Sequence, residues 1–318
     1  MRNSDVFTGE KMKAQTLRSN LFMFLAAAIW GLAFVAQRVG AEHMGPYTFN
    51  GIRFGLGSLS LIPLILFFGY KSRNNSDTQR SFRRTLPAGL IVGCVLFIAA
   101  SVQQIGMAET SAGKAAFITG LYIVLVPVLG IFLKHVIRIN TWLGVVLAAL
   151  GLYFLCVTGD FTISGADLLE LIASFFWAVH ILLIDHFVKK FDALKLCFLQ
   201  FVTCSILSTI VALIFERITI DSLMQTLIPL LYGGICSVGI AYTLQVLGQK
   251  HAQPSHAAII LSLETVFASI GGAILLGENM GARGYFGCAL MMAGMLLSQL
   301  QNFRMSSNKE NRSLSSTS

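Results

Sequence analysis

Apolar runs long enough to cross a bilayer dominate this chain. A helix needs about 20 mostly apolar residues to span the hydrocarbon core. Runs of that kind are centred near Ile29, Ser58, Leu96, Tyr122, Leu150, Trp177, Ser205, Val238, Val266 and Leu290. Polar breaks at 42–46, 71–84, 107–111, 134–140, 158–164, 189–193, 216–221, 249–253 and 278–283 separate them. Ten spans with breaks this short leave no room for a separate soluble domain, and neighbouring helices must run antiparallel. The fold expected is an all-α integral membrane protein with ten transmembrane helices. The polar ends, 1–19 and 301–318, read as cytoplasmic disordered tails.

Composition agrees. Of the 318 residues 55% are hydrophobic and 12% charged, about half the charge of an average soluble domain, and the mean hydropathy is +0.73. This excludes a soluble enzyme, a nucleic-acid-binding domain and a disordered chain. The formal charge of +8 would suit nucleic acid, but its distribution follows membrane topology instead. With a cytoplasmic N-terminus, 18 Lys and Arg fall in inside segments. Arg38, Lys114, Arg217 and Arg283 fall outside, and Arg53 lies within a span. By the positive-inside rule both termini are cytoplasmic, in a multi-pass plasma-membrane protein. The first apolar run, 21–39, is long for a signal peptide and nine more follow it. Cys94, Cys156, Cys197, Cys204, Cys236 and Cys288 all lie in apolar runs without a CxxC pair, where cysteine packs as a small hydrophobe. No metal or cofactor is expected.

The two halves resemble each other. Trp30 and Arg53 fall on Trp177 and Gln200 at an offset of 147. At 142, Pro87 falls on Pro229, Gly106 on Gly248, Ala115-Ala116 on Ala257-Ala258 and Gly130 on Gly272. At 143, Gly144 falls on Gly287 and Gly151 on Gly294. The offset drops where the first half carries its long basic break. Five spans per half is an odd number, so the second copy, 165–300, enters the membrane from the opposite side to the first, 20–157. Inverted repeats characterise transporters, with a site near the midplane between the halves.

Polar groups within spans mark where that site would lie, because an ionisable side chain there needs a partner or a wet cavity. Arg53 shares a helical face with Asn50 and Gly57. It suits either a substrate carboxylate or phosphate or a fixed contact between helices. Glu264, deep in the ninth span, suits a coupling proton or a pairing with Arg53, and His256 and Ile260 share its stripe. Trp30 and Trp177 sit at matching depths away from the interfacial belt, where they would line a cavity or fill a core. His180, Gln104, Tyr122, Gln200, Tyr242 and Gln245 complete the candidate substrate-binding set. Gln37 and Gln103 offer further hydrogen bonds. Two GxxxG pairs, Gly51/Gly55 and Gly89/Gly93, allow close helix contact, within a monomer more often than between monomers. Glu278 reads as a structural residue at a helix end.

The chain resembles the EamA transporters of the drug/metabolite transporter superfamily over about residues 20–300. The resemblance is carried by Ala28-Ile29-Trp30-Gly31, by Arg53, by the run from Thr110 to Ala116, and by Trp142-Leu143-Gly144 with Gly151. Leu263-Glu264, Gly277-Glu278, Gly287 and Gly294 carry it in the second half. Thr265 stands where the family often has proline after the Leu-Glu pair, and His135-Val136 stands opposite Gly277-Glu278. The resemblance implies ten helices in two inverted five-helix repeats. Spans one to four and six to nine would surround a cavity, with the fifth and tenth outside or at a homodimer face. It also implies alternating-access transport of small organic metabolites, amino-acid-like solutes among them, often as export.

A membrane enzyme acting on lipid or prenyl groups is the rival reading. It would need an interfacial cluster, and the breaks supply only scattered Glu42, His43, Glu109, Asp160, Asp167 and Glu216. No P-loop, HExxH or GxSxG motif is present. A passive channel or scramblase is a third reading. The partners expected are a small-molecule substrate and the lipid bilayer, with no nucleic acid.

Overall fold

A computed structural model describes residues 2–71, 77–134, 137, 139–156, 164–277, 281–287, 289–294 and 297. Among these residues there are helices and turns and no strand. Helix α1 runs Arg2–His43, α2 Pro46–Lys71 and α3 Asp77–Gly106. The fourth span is divided into α4 (Ala112–Gly120) and α5 (Tyr122–Phe132), and α6 covers Ile139–Cys156. In the second half α7 runs Gly165–Val188 and α8 Ala193–Phe215. After the short α9 (Ile220–Gln225), the eighth span comprises α10 (Leu227–Leu231), a π-helix (Tyr232–Tyr242) and α11 (Thr243–Gln249). The ninth is divided into α12 (Pro254–Leu261) and α13 (Glu264–Leu275).

Among the described residues, eight helices or helix runs are long and apolar enough to cross a membrane, where ten were expected. The fifth is shorter, with an apolar stretch of Ile139–Phe154, which at 1.5 Å per residue falls short of a bilayer core of about 30 Å. The tenth is helical at 282–287 and 289–294 and only partly described. The first helix also reaches back to Arg2, so the segment expected as an N-terminal disordered tail is helical here. Residues 301–318, Glu278, His135, Val136 and Cys288 lie outside the described residues.

Local sequence explains where helices begin. Ser164 and Asp167 form a capping box on α7, each side chain satisfying a backbone N–H that has no helical partner. Asp192 caps α8 and Ser111 caps α4. The start of α2 is capped from a distance. Glu216, just past α8, accepts hydrogen bonds from Tyr47 N (2.9 Å), Thr48 N (2.7 Å) and Thr48 Oγ1. Large apolar side chains cover the outside, among them Leu66, Phe67, Phe132, Leu213, Phe215 and Ile228. Such a surface suits lipid and would aggregate in water.

The halves pack as equivalent copies, and the contacts follow the offsets. A Cβ placed on Gly106 would meet the Ala166 carbonyl at 3.2 Å, and one on Gly248 would meet the Ser19 carbonyl at 3.0 Å. Residues 19 and 166 are repeat mates at 147. A Cβ on Gly151 would meet the Gly287 carbonyl at 2.6 Å, and one on Gly294 the Gly144 carbonyl at 2.7 Å. The fifth and tenth helices therefore press backbone to backbone through symmetry-related glycines. The GxxxG pairs also work inside the monomer: Gly51 and Gly55 face Thr209 and Ser205, and Gly89 and Gly93 face Leu199 and Thr203, all on α8.

The fourth and ninth spans are interrupted at equivalent places. Leu121 N bonds to Ile118 O and Leu263 N to Ile260 O, tightening one turn of each span to the 3₁₀ pattern, which often marks a hinge. A second irregularity is asymmetric. Gly93 packs on Gln200 and Thr203, and Gly234 packs on Arg53 and Leu56, an offset of 141 that becomes 142 by Gly106 and Gly248. The second half thus holds one extra residue between these points, where the π-helix Tyr232–Tyr242 lies. A π-helical stretch accommodates such a residue and is frequent at functional sites.

Candidate functional site

A cavity opens between the halves. α1 contributes Trp30, Phe34 and Gln37, α2 contributes Arg53, and α3 contributes Gln103. The interrupted fourth span adds Thr119 and Tyr122, and α7 adds Trp177 and Ile181. Ser237, Tyr242, Gln245, Leu261 and Glu264 close the wall from the eighth and ninth spans. Every span that touches the cavity brings at least one polar group to a mostly apolar surface, as in small-molecule sites.

Three aromatic residues form one side. The Tyr242 ring lies between the two tryptophans, 4.6 Å from Trp30 edge-on and 6.2 Å from Trp177 tilted. Both indoles are anchored by their N–H groups, Trp30 Nε1 donating to Ser237 O (3.2 Å) and Trp177 Nε1 to Gln103 Oε1 (2.6 Å). A polar tip held on the protein fixes the ring plane and presents the apolar face inward.

Arg53 is 3% exposed. Its guanidinium lies over the rings of Phe49 (5.5 Å) and Phe54 (5.0 Å), and its Nε has no hydrogen-bond partner. Ion pairs among the described residues include Arg38–Glu42, Lys114–Asp167 and Lys189–Asp185. Arg53 and Glu264, both on the cavity wall, do not pair with each other, which corrects the pairing held open above. The Arg53 guanidinium, on the cavity wall and not paired with Glu264, is suited to an anionic group in the cavity.

Of the residues singled out in the sequence, Trp30, Arg53, Tyr122, Trp177, Tyr242, Gln245 and Glu264 meet at the cavity. Four are used elsewhere, as bonds between neighbouring segments. Asn50 donates to Ala100 O (3.0 Å), Gln104 donates to Gln37 O (3.0 Å), and His180 is hydrogen-bonded to Gln200 Oε1 (2.9 Å). His256, on the Glu264 stripe, bonds to Asn20 Oδ1 instead. Thr119, Ser237, Phe34 and Leu261 were not singled out. Thr119 could have been found as the last polar residue before the interruption of the fourth span. The apolar members carry no signal that separates cavity from core.

A helical bundle with an apolar exterior, built from two equivalent halves around a cavity that carries polar groups, is that of a membrane transporter. Residues 17–157 and 164–300 each match the EamA-like transporter family, and the chain belongs to that family. A relative from Archaeoglobus fulgidus named "Uncharacterized transporter" is 29% identical, with 90% of this chain and 87% of the relative covered. The "Uncharacterized transporter YoaV" of Bacillus subtilis is 22% identical over 85% of this chain and 92% of its own length. A solved structure titled "Crystal structure of protein" superimposes with a TM-score of 0.73 at 17% identity. It covers 90% of this chain and 98% of that one, a likeness of fold.

Proposed function

We propose that this transporter moves a small organic solute bearing an anionic group, by alternating access of the cavity between its repeats. The observation that carries this reading is the Arg53 guanidinium, held on the cavity wall without an ion pair. Trp30, Trp177 and Tyr242 would stack on an unsaturated or apolar part of the solute, and Glu264 would face a cationic group or carry a proton. An amino-acid-like solute combines these features. The positive-inside count supports cytoplasmic termini, and the family resemblance suggests export across the plasma membrane. Leu143, Val146, Leu150 and Tyr153 form an exposed stripe on α6, which would face lipid or a second copy.

The test is solute counterflow in proteoliposomes with a panel of radiolabelled amino acids and other small organic anions. Saturable counterflow of one of them, lost in Arg53→Ala while the protein stays folded, supports the reading. Undiminished counterflow in Arg53→Ala removes its basis. Non-saturable flux would show a channel.

A further inference from the structure

One buried acid has no part in the cavity wall. Glu170, on α7, is fully buried. Its Oε2 accepts a hydrogen bond from Thr119 Oγ1 at 3.0 Å, and its Oε1 has no partner. Thr119 itself lines the cavity. The other oxygen lies against Gly106, where a Cβ would come within 2.8 Å of it.

The repeat shows that packing does not call for an acid here. The mate of Glu170 at the offset of 147 is Met23, which fills the equivalent space against Gly248. A long side chain satisfies the fold at this place, and methionine would do so without burying a polar oxygen that lacks a partner. The charge-bearing group therefore calls for a purpose other than packing.

The surroundings connect it to one face of the protein. One turn nearer the helix start, Asp167 Oδ2 accepts from Lys114 Nζ and from Ser164 N, both at 2.8 Å. Asp167 Oδ1 is buried and unpartnered, and the Lys114 side chain is 42% exposed. A row of Lys114, Asp167, Glu170 and Thr119 thus leads from solvent to the cavity. The ionisable group acting on Glu170 is Asp167. α4 brings Lys114 and Thr119, α3 brings Gly106, and Glu109 in the turn after α3 is exposed. Tyr122 of α5 and Glu264 face the cavity, and His256 of α12 is bonded to Asn20.

We infer that Glu170 is a proton-binding site, loaded from the face that carries Lys114 and Asp167 and opening to the cavity through Thr119. The step is one of proton binding alone: a hydronium ion gives its proton to Oε1 and leaves as water. Movement of the solute would then be linked to movement of a proton. That linkage rests on the transport reading above, whereas the proton site does not.

Infrared difference spectra of the reconstituted full chain, recorded as the bulk pH is lowered in water and in D2O, read carboxyl protonation directly. The wild type is expected to gain a carboxylic C=O band that is lost in both Glu170→Gln and Glu170→Met and kept in Glu264→Gln. The methionine variant copies the residue of the first repeat, so it should fold and unfold thermally as the wild type does. An unchanged band in both Glu170 variants overturns the inference. Solute counterflow in the same vesicles reports separately on the transport reading. A Glu170 band without counterflow contradicts transport alone, and counterflow without the band contradicts only the proton site.

Discussion

Tyr122 and Glu264 are repeat mates, 142 residues apart, and each is the first residue of the helix that resumes after its span is interrupted. Both line the cavity. The interruption therefore recurs in the two halves at the depth of the site. The repeat places two chemically different groups, a phenol and a carboxyl, in equivalent positions. Discontinuous helices near the midplane are the usual way for inverted-repeat transporters to bring polar groups to a solute.

The unmatched guanidinium of Arg53 leads to a graded prediction. A hydrogen bond to a charged group contributes about 1.5–3 kcal/mol, about 10–150-fold in affinity. Arg53→Ala should therefore raise the half-saturating concentration in counterflow by at least about tenfold. Arg53→Lys, which keeps the charge and loses the planar fork, should fall between the two. Equal behaviour of Lys and wild type would show that the charge alone matters.

The Lys114–Asp167 ion pair has a counterpart at the other end of the molecule. Residues 114 and 256 are repeat mates at 142, and 167 and 20 at 147; His256 bonds to Asn20 at 3.2 Å. We predict that each pair holds one end shut. Lys114→Ala should speed deuterium exchange of amides 107–111 and leave 249–253 unchanged, and Asn20→Ala should do the reverse. A partly exposed ion pair contributes about 0.2–1 kcal/mol, so the Lys114→Ala rise should stay below about tenfold. Equal acceleration at both ends in either variant would contradict separate latches.

Gly151 and Gly294 occupy equivalent close approaches between the fifth and tenth helices. Leucine at either position should lower the thermal unfolding midpoint in detergent by a similar amount, since overpacking costs about 1–3 kcal/mol. Gly165→Ala, with nothing within 4 Å of the added carbon, should avoid that penalty. A large loss from only one of the two leucine variants would argue against symmetric packing.

Glu216 binds two backbone N–H groups at the start of α2. Glu216→Ala should destabilise that end by about 0.5–2 kcal/mol, the usual effect of losing a helix cap. The loss should appear as faster exchange of the Tyr47 and Thr48 amides. Unaltered exchange would show that water replaces the cap at no cost.

Much of this architecture was legible because lipid demands long apolar runs, and because a duplicated chain repeats its tryptophans and glycines. Trp30, Trp177, Arg53 and Glu264 stood out as polar or aromatic residues in the wrong depth for an interface. Periodicity could not separate Arg53, on the cavity, from Asn50 three residues away, whose amide bonds to Ala100. Both positions face inward, and in a membrane a neighbouring helix and a wet cavity attract the same residue types. His180 and Gln200 bond to each other for the same reason. The extra residue in the eighth span was hidden because a π-helix changes the register while the run stays helical and apolar.

The central claim is that one cavity between inverted repeats opens to each side of the membrane in turn. It is tested most directly by placing a single cysteine at Ser237, on the cavity wall, in a background whose native cysteines are serine. A membrane-impermeant maleimide is then applied from one face of oriented vesicles at a time. The account predicts labelling from either face, with Asp167→Asn increasing it only from the Lys114 face. Labelling from one face alone, unaffected by Asp167→Asn, would contradict it.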